Sequence, residues 1–149
     1  MMKKKITIKL KNDLAELKGL CRHCEKIGKS VGLSEKTIFQ TNLALDELFT
    51  NIVSYGFKDN KEHKVTLTIS LDCHALELRI EDDGIPFDPV SAPDPELACT
   101  LADAKVGGLG IHLIKNLMDE IRYKRINGKN ILEMKKYIGS SQERKSKRA

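Results

Sequence analysis

The chain has 149 residues and a formal net charge of +5. This length fits one domain, which can bury about two-thirds of its unfolded surface without disulfide staples. The charge does not indicate a groove-reading nucleic-acid protein, because its excess lies in residues 3–5 and in the tail 140–149. No apolar run approaches the roughly 20 residues that span a bilayer. The first apolar segment is too short for a secretory signal, so we expect a cytosolic protein.

Apolar periodicity predicts a single domain of strands and helices. Gly32 is expected to end the first helix and Ser34 to cap the second. Residues 84–106 have no sustained period and form a predicted long loop, whose length indicates a function such as a lid. Residues 139–149 are expected to be disordered. In chain order the pattern predicts a strand at 3–10, helices at 12–31 and 34–55, strands at 65–71 and 76–80, a helix at 109–118, and a hairpin of 121–126 and 130–138 turning at Asn127-Gly128-Lys129.

Asp82 stands at the end of the third predicted strand. It shares one parity with Leu76, Leu78 and Ile80, which places its side chain on the apolar face of the sheet. A carboxylate there is costly unless a specific partner compensates for its desolvation. Gly84 follows and would let a ligand approach the backbone. Either the strand frays and Asp82 meets water, or Asp82 accepts a hydrogen bond from the amino group of a base.

Glu47 and Asn51 lie four residues apart in the second predicted helix, and therefore on one face of it. Polar residues on a helix commonly form its solvated face, and this remains one interpretation of the pair. However, Leu48 and Ile52 place Glu47 near the edge of the apolar stripe. An Asn in this position can supply an oxygen ligand to Mg²⁺, and a Glu one turn earlier can orient or deprotonate an attacking group.

The run Gly107-Gly108-Leu109-Gly110 opens the third predicted helix. Glycines at such a position can simply form a flexible turn. Free amides at a helix N-terminus also favour phosphate, both by hydrogen bonding and through the helix dipole. The run therefore allows two interpretations, a turn or a phosphate site.

Together these segments resemble the three sequence boxes, called N, G1 and G2, of the GHKL (Bergerat-fold) ATPases. The Phe-Asp-Pro after the second box and the Gly-Ile-His-Leu run in the third are most similar to the anti-sigma factor serine/threonine kinase branch. The resemblance covers roughly residues 5–138, nearly the whole domain. The matching segments are Asp46-Glu47-Leu48-Phe49-Thr50-Asn51, Glu81-Asp82-Asp83-Gly84-Ile85-Pro86-Phe87-Asp88-Pro89 and Gly107-Gly108-Leu109-Gly110-Ile111-His112-Leu113-Ile114.

The resemblance implies an α+β fold, a two-layer α/β sandwich in which a mixed, mostly antiparallel sheet carries helices on one face. Residues 1–138 would form a histidine kinase-like ATPase domain with a lid at about 86–106. The implied cofactors are ATP and Mg²⁺.

The resemblance also implies roles for the residues singled out above. Asn51 would coordinate the Mg²⁺ that bridges the ATP phosphates, and Glu47 would be the general base or would position the attacking hydroxyl. Asp82 would bind the adenine amino group, and Gly84 would let the base approach. The residues expected against the phosphates are Gly107, Gly108, Leu109 and Gly110.

A member of this branch would phosphorylate a Ser or Thr of an anti-anti-sigma (STAS-type) antagonist and would also bind a sigma factor. Dimerisation is common in the family, although no residue of this chain requires a homodimer. No specific nucleic acid or membrane is implied as a partner.

Three positions depart from the family pattern. Glu16 stands where family kinases usually carry an Arg in the first helix, and Tyr55 stands where many members have a His. Val106 replaces the first Gly of the third box. These departures support an alternative, a catalytically weak, nucleotide-gated module that binds a partner without kinase activity.

Cys21 and Cys24 form a C-x-x-C pair that could ligate zinc together with Cys73 and His74. Both fall on the apolar stripe of the first predicted helix, where free Cys often packs as a small hydrophobe. We therefore expect buried thiols rather than a metal or redox site.

Overall fold

The computed structural model describes residues 4–91 and 108–138. In this part of the chain a five-stranded sheet of order β1-β2-β3-β5-β4 forms one layer, and three helices form the other. Every strand pair in it is antiparallel. The elements are β1 (Lys4–Lys11), a 3-10 turn (Leu14–Glu16), α1 (Leu17–Ser30), α2 (Glu35–Tyr55), β2 (Lys64–Leu71), β3 (Ala75–Asp82), a second 3-10 turn (Pro89–Ser91), α3 (Gly108–Leu117), β4 (Glu120–Ile126) and β5 (Lys129–Tyr137).

The two long helices begin and end largely as their sequences predict. The Ser34 hydroxyl accepts a hydrogen bond from the Thr37 amide at 3.1 Å and caps α2. Gly32, with φ of +79°, follows the end of α1. The start of α1 differs from the prediction, because the Asp13 carboxylate accepts a hydrogen bond from the Ala15 amide at 2.9 Å and fixes a 3-10 turn before the helix.

Local turn chemistry also sets both hairpins. Asp72 accepts hydrogen bonds from the amides of His74 and Ala75, at 2.7 and 2.9 Å, which closes the β2–β3 turn. Asn127 and Gly128 have φ of 51° and 76°, as a two-residue turn between twisted strands requires. The predicted turn included Lys129, which instead begins β5.

The core lies between the helices and one face of the sheet. Helix α2 is central, since it packs against both α1 and α3. The α+β, two-layer architecture expected from the sequence is confirmed. The largest fully buried side chains of the core are Leu20, Leu45, Val65, Leu67, Leu71, Leu78, Ile111 and Ile114.

One member of the C-x-x-C pair, Cys24, belongs to this core. Cys24 is buried, and its burial raises the pKa of the thiol to about 12, which disfavours the thiolate needed for metal binding or redox chemistry. Cys21 is half-buried, and its pKa is also raised by burial. Within 4–91 and 108–138, no group of three or more His, Cys, Asp or Glu side chains is placed to hold a metal ion.

No helix in the described ranges is long and apolar enough to cross a membrane. Several predictions fall outside those ranges: most of the lid (92–106), Gly107 and the tail 139–149. The division into a domain and a tail therefore stays a prediction.

Candidate functional site

A cavity of about 250 Å³ opens where the C-terminal half of α2 meets the last residues of β3 and the first residues of β5. Its wall is largely apolar, and five side chains with a polar group also line it, which is the usual composition of a small-molecule site. The lining residues are Leu48, Asn51, Ile52, Tyr55, Gly56, Ile80, Asp82, Ile85, Phe87, Pro89, Tyr123, Asn130 and Leu132.

Asp82 is the buried carboxylate of this cavity, and only 6% of its surface is exposed. The parity prediction is thus confirmed, and the strand continues through Asp82 rather than fraying. Its Oδ1 atom accepts hydrogen bonds from the Gly84 amide at 2.8 Å and from Nδ2 of Asn130 at 3.0 Å. Burial raises the pKa of Asp82, and these two hydrogen bonds oppose the rise. The Oδ2 atom forms no hydrogen bond with the described residues, so it can accept one from a ligand.

At Gly84 the backbone passes close to the carbonyl group of Gly56. A Cβ atom on it would lie 2.5 Å from the carbonyl oxygen of Gly56 and 2.9 Å from Oδ1 of Asp82. The Ile85 amide also donates to the Gly56 carbonyl at 2.8 Å, which holds the 83–89 loop against the end of α2. The need for glycine here therefore has a cause within the protein, and its role in admitting a ligand stays a prediction.

Asn51 and Glu47 lie one turn apart on α2, as predicted, but of the two only Asn51 lines the cavity. Asn51 lines it, and its buried Nδ2 atom has no hydrogen-bond partner in the described part of the chain. Buried amide groups rarely stay unpaired, so this one fits an absent polar ligand. An amide also offers an oxygen atom, which Mg²⁺ accepts together with phosphate oxygens. Glu47 is half-buried and does not line the cavity.

The described part of the glycine-rich run, residues 108–110, begins a helix, as predicted. Helix α3 starts at Gly108, and Leu109 and Gly110 belong to its first turn. Ile111 and Ile114 are fully buried, which anchors α3 in the core beside α2. Contact of these glycines with phosphate stays a prediction.

Asn130 was missed by sequence reasoning, although the signal was present. It is 7% exposed and stands directly opposite Asp82 in the β3–β5 register. Its parity with Leu132 and Met134 predicts a buried polar side chain, just as the parity of Asp82 with Leu78 and Ile80 does. Arg125 was missed too: its Nη1 atom donates to the Gly84 carbonyl at 2.8 Å.

A second polar cluster lies beside the 83–89 loop. Nδ1 of His63 lies 3.0 Å from Oδ1 of Asp83, and its Nε2 lies 2.6 Å from Oδ1 of Asp59. The ring stacks on Phe57 with centroids 4.3 Å apart. The hydrogen bond that the His63 ring donates to the Asp59 carboxylate is the main cause that raises the pKa of His63. This cluster joins the segment after α2 to the residue that follows Asp82.

Two of the departures from the family pattern, Glu16 and Tyr55, lie within the described residues, at different places in the structure. Oε2 of Glu16 accepts a hydrogen bond from the Lys11 amide at 3.0 Å, so this carboxylate ties the 3-10 turn to the end of β1. Tyr55 is 53% exposed and lines the cavity. Val106 lies outside the described residues.

The sequence model of the family described as the histidine kinase-like ATPase domain matches residues 10–136. The chain belongs to this family. Such a domain implies the use of ATP, and the cavity between α2, β3 and β5 is its candidate site.

This histidine kinase-like ATPase domain is similar to several curated proteins. It is 35% identical to the serine/threonine-protein kinase BtrW of Bordetella bronchiseptica over 68% of this chain and 71% of the relative. It is 29% identical to the serine-protein kinase RsbW of Listeria innocua over 78% and 76% of the two chains. It is 33% identical to the anti-sigma F factor of Priestia megaterium over 52% and 54%.

Proposed function

We propose that this ATPase domain is a cytoplasmic anti-sigma regulatory factor with protein serine/threonine kinase activity. It transfers the γ-phosphoryl group of Mg·ATP to a Ser or Thr of an anti-anti-sigma (STAS-type) protein. The observation that carries the proposal is the cavity in which a buried carboxylate, Asp82, and an unpaired buried amide, Asn51, converge. The names of the relatives, two kinases and an anti-sigma factor, support the reaction and a sigma factor as one partner; the STAS-type substrate follows from the family resemblance.

The adenine ring enters the apolar cavity and donates a hydrogen bond from its amino group to Oδ2 of Asp82. That oxygen is the one left without a partner by the described residues, whereas Oδ1 already accepts two N–H groups. The apolar wall contributes burial of the ring, and the carboxylate fixes its orientation.

The phosphates lie toward Asn51 and the start of α3. Asn51 would provide an amide oxygen to Mg²⁺, and the backbone amides of Gly107, Gly108, Leu109 and Gly110 would donate hydrogen bonds to phosphate oxygens. Mg²⁺ supplies charge neutralisation on the phosphates during transfer. The lid at about 86–106 excludes water, which would otherwise compete with the acceptor hydroxyl.

Glu47 acts on the acceptor rather than on the nucleotide. It lies one helical turn from Asn51 but outside the wall of the cavity, so its carboxylate is available to a hydroxyl that arrives from a protein partner. As a general base it orients that hydroxyl and takes its proton as the new O–P bond forms.

The added phosphate changes which partner the kinase holds, because it places charge in a packed interface. Unmodified antagonist binds the kinase, whereas phosphorylated antagonist leaves it free to hold a sigma factor. The homodimer common in the family remains part of this proposal. The kinase names of the relatives favour catalysis over the binding-only alternative.

Replacing Glu47 tests the kinase assignment. Glu47→Ala should slow transfer of labelled γ-phosphoryl to a STAS-type protein of the same organism by at least about 100-fold, the range of a lost general base. ATP binding, measured by calorimetry, should stay within about threefold of the unmodified protein, because Glu47 does not line the cavity.

The matched control is Asp46→Ala. Asp46 is the adjacent exposed carboxylate, whose Oδ1 accepts a hydrogen bond from Thr50 within α2. This variant should transfer phosphate at the normal rate. If Glu47→Ala also transfers normally, the general-base role is wrong; if the unmodified protein binds ATP but never transfers phosphate, the binding-only module is correct.

A further inference from the structure

The Asn130 amide has an orientation that the backbone fixes. The Phe87 amide, which can only donate, lies 3.3 Å from Oδ1, and the Ile85 carbonyl, which can only accept, lies 2.8 Å from Nδ2. A flipped amide would place a donor against a donor and an acceptor against an acceptor. The nitrogen of Asn130 therefore faces Asp82.

The hydrogen-bonding capacity of Asn130 is also fully used. Its Nδ2 atom donates to Oδ1 of Asp82 and to the Ile85 carbonyl, which accounts for both of its hydrogens. Its Oδ1 atom accepts from the Phe87 amide and, at 2.6 Å, from the Tyr123 hydroxyl. A side-chain amide has two hydrogens on its nitrogen and two lone pairs on its oxygen. All four are used here, so none remains for a ligand. Asn130 can therefore affect the hydrogen bonds of a bound base only through Asp82.

Oδ1 of Asp82 is saturated in the same way. It accepts from Asn130 and from the Gly84 amide, and these two hydrogen bonds use both of its lone pairs. The carboxylate thus meets a base with a single oxygen, Oδ2, although a carboxylate ordinarily offers two.

We propose that Asn130 is a positioning residue that makes Asp82 a one-oxygen acceptor and thereby selects adenine against guanine. This inference rests on the proposed adenine contact of Asp82 and adds a cause for its selectivity. Adenine presents one exocyclic amino donor, which a single carboxylate oxygen can accept, and its neighbouring ring nitrogen is an acceptor that needs no carboxylate oxygen. Guanine presents two adjacent donors, N1–H and the 2-amino group, which pair best with both oxygens of a carboxylate. With Oδ1 saturated, one guanine donor is left unpaired in a buried site, and such a donor weakens binding strongly.

The test is the ratio of ATP to GTP affinity, measured by calorimetry on the full chain at neutral pH with Mg²⁺ present. The unmodified protein should prefer ATP by at least about 100-fold. Asn130→Ala frees one lone pair of Oδ1, so the preference should fall by about tenfold or more. Glu133→Gln, on the opposite face of β5 where Glu133 pairs with Lys124 at 3.0 Å, should leave the ratio unchanged.

A purely structural role of Asn130 would weaken both nucleotides equally, whereas the proposed role changes their ratio. An unchanged ratio in folded Asn130→Ala, checked by circular dichroism and thermal unfolding, would overturn the inference. If that variant does not fold, Tyr123→Phe replaces it. This change removes one hydroxyl at a partly exposed site, loosens Asn130, and should lower the ratio by about threefold; no change would equally overturn the inference.

Failure of the proposed function gives different results. If the unmodified protein binds neither nucleotide, the adenine site is wrong and the inference falls with it. If ATP binds selectively but no phosphate is transferred, the kinase proposal fails and the selectivity argument stands.

Discussion

Single atoms of Asp82 and Gly84 decide the shape of the candidate site. Oδ1 of Asp82 is used by the protein and Oδ2 is left to a ligand, while the missing Cβ of Gly84 lets the 83–89 loop lie against the end of α2. Burying Asp82 stabilises its neutral form, as its raised pKa reflects. The charged form of Asp82 therefore lowers the stability of the folded protein at neutral pH. A buried carboxylate with such a perturbed pKa is characteristic of functional sites.

Gly84→Ala should destabilise the fold. The new Cβ would lie 2.5 Å from the Gly56 carbonyl, and a backbone atom there cannot move aside as a flexible side chain would. The expected loss in the free energy of unfolding is about 1–3 kcal/mol, read as a lower midpoint in thermal unfolding. Gly19→Ala is the matched control, since nothing lies within 4 Å of its Cβ position in α1. It should raise stability by up to about 1 kcal/mol through helix propensity; equal effects of both changes would contradict the close-approach argument.

At the scale of elements, hydrogen bonds join the segment between α2 and β2 to the loop after β3. The Gly56–Ile85 backbone hydrogen bond and the placement of His63 between Asp59 and Asp83 join them. Because both carboxylates favour the charged imidazole, the folded-state pKa of His63 lies above its unfolded value of 6.5. Its stabilising contribution is complete below pH 6.5 and is lost as the pH rises through the folded-state pKa.

His63→Gln should therefore lower the thermal midpoint more at pH 6 than at pH 9. Gln keeps a hydrogen-bond donor but never carries the charge. His23→Gln serves as the control, because His23 is exposed on α1 and its ring forms no hydrogen bond with the described residues. A His63→Gln effect that is the same at both pH values would show that the two carboxylates do not stabilise the charged ring.

Sequence periodicity predicted the order and type of the elements because amphipathic helices and half-buried strands carry local patterns. It placed Asp82 on the apolar face for the same reason. The role of Asn130 was not predictable in this way, since it depends on the pairing of β3 with β5 across 48 residues of chain. The reason for Gly84 depends likewise on Gly56, which reaches it only in the folded domain.

For the whole molecule, the sheet order explains why the site forms where it does. The order β1-β2-β3-β5-β4 brings Asp82 at the end of β3 beside Asn130 near the start of β5, at the middle of the sheet. Helix α2 crosses this point and brings Asn51 to the same cavity. Residues from three distant parts of the sequence thus meet at one place, where we propose that ATP binds.

ATP binding at this place is tested by titration of Asp82→Asn with Mg·ATP, by calorimetry beside the unmodified protein. The Asn oxygen can replace Oδ1 and accept from Gly84 and Asn130, so its NH₂ group must take the place of Oδ2 and would face the adenine amino group, donor against donor. The loss should be at least about 100-fold in affinity, with thermal stability retained or raised, because a buried charge is removed. Binding of ATP by folded Asp82→Asn with unchanged affinity would contradict the account.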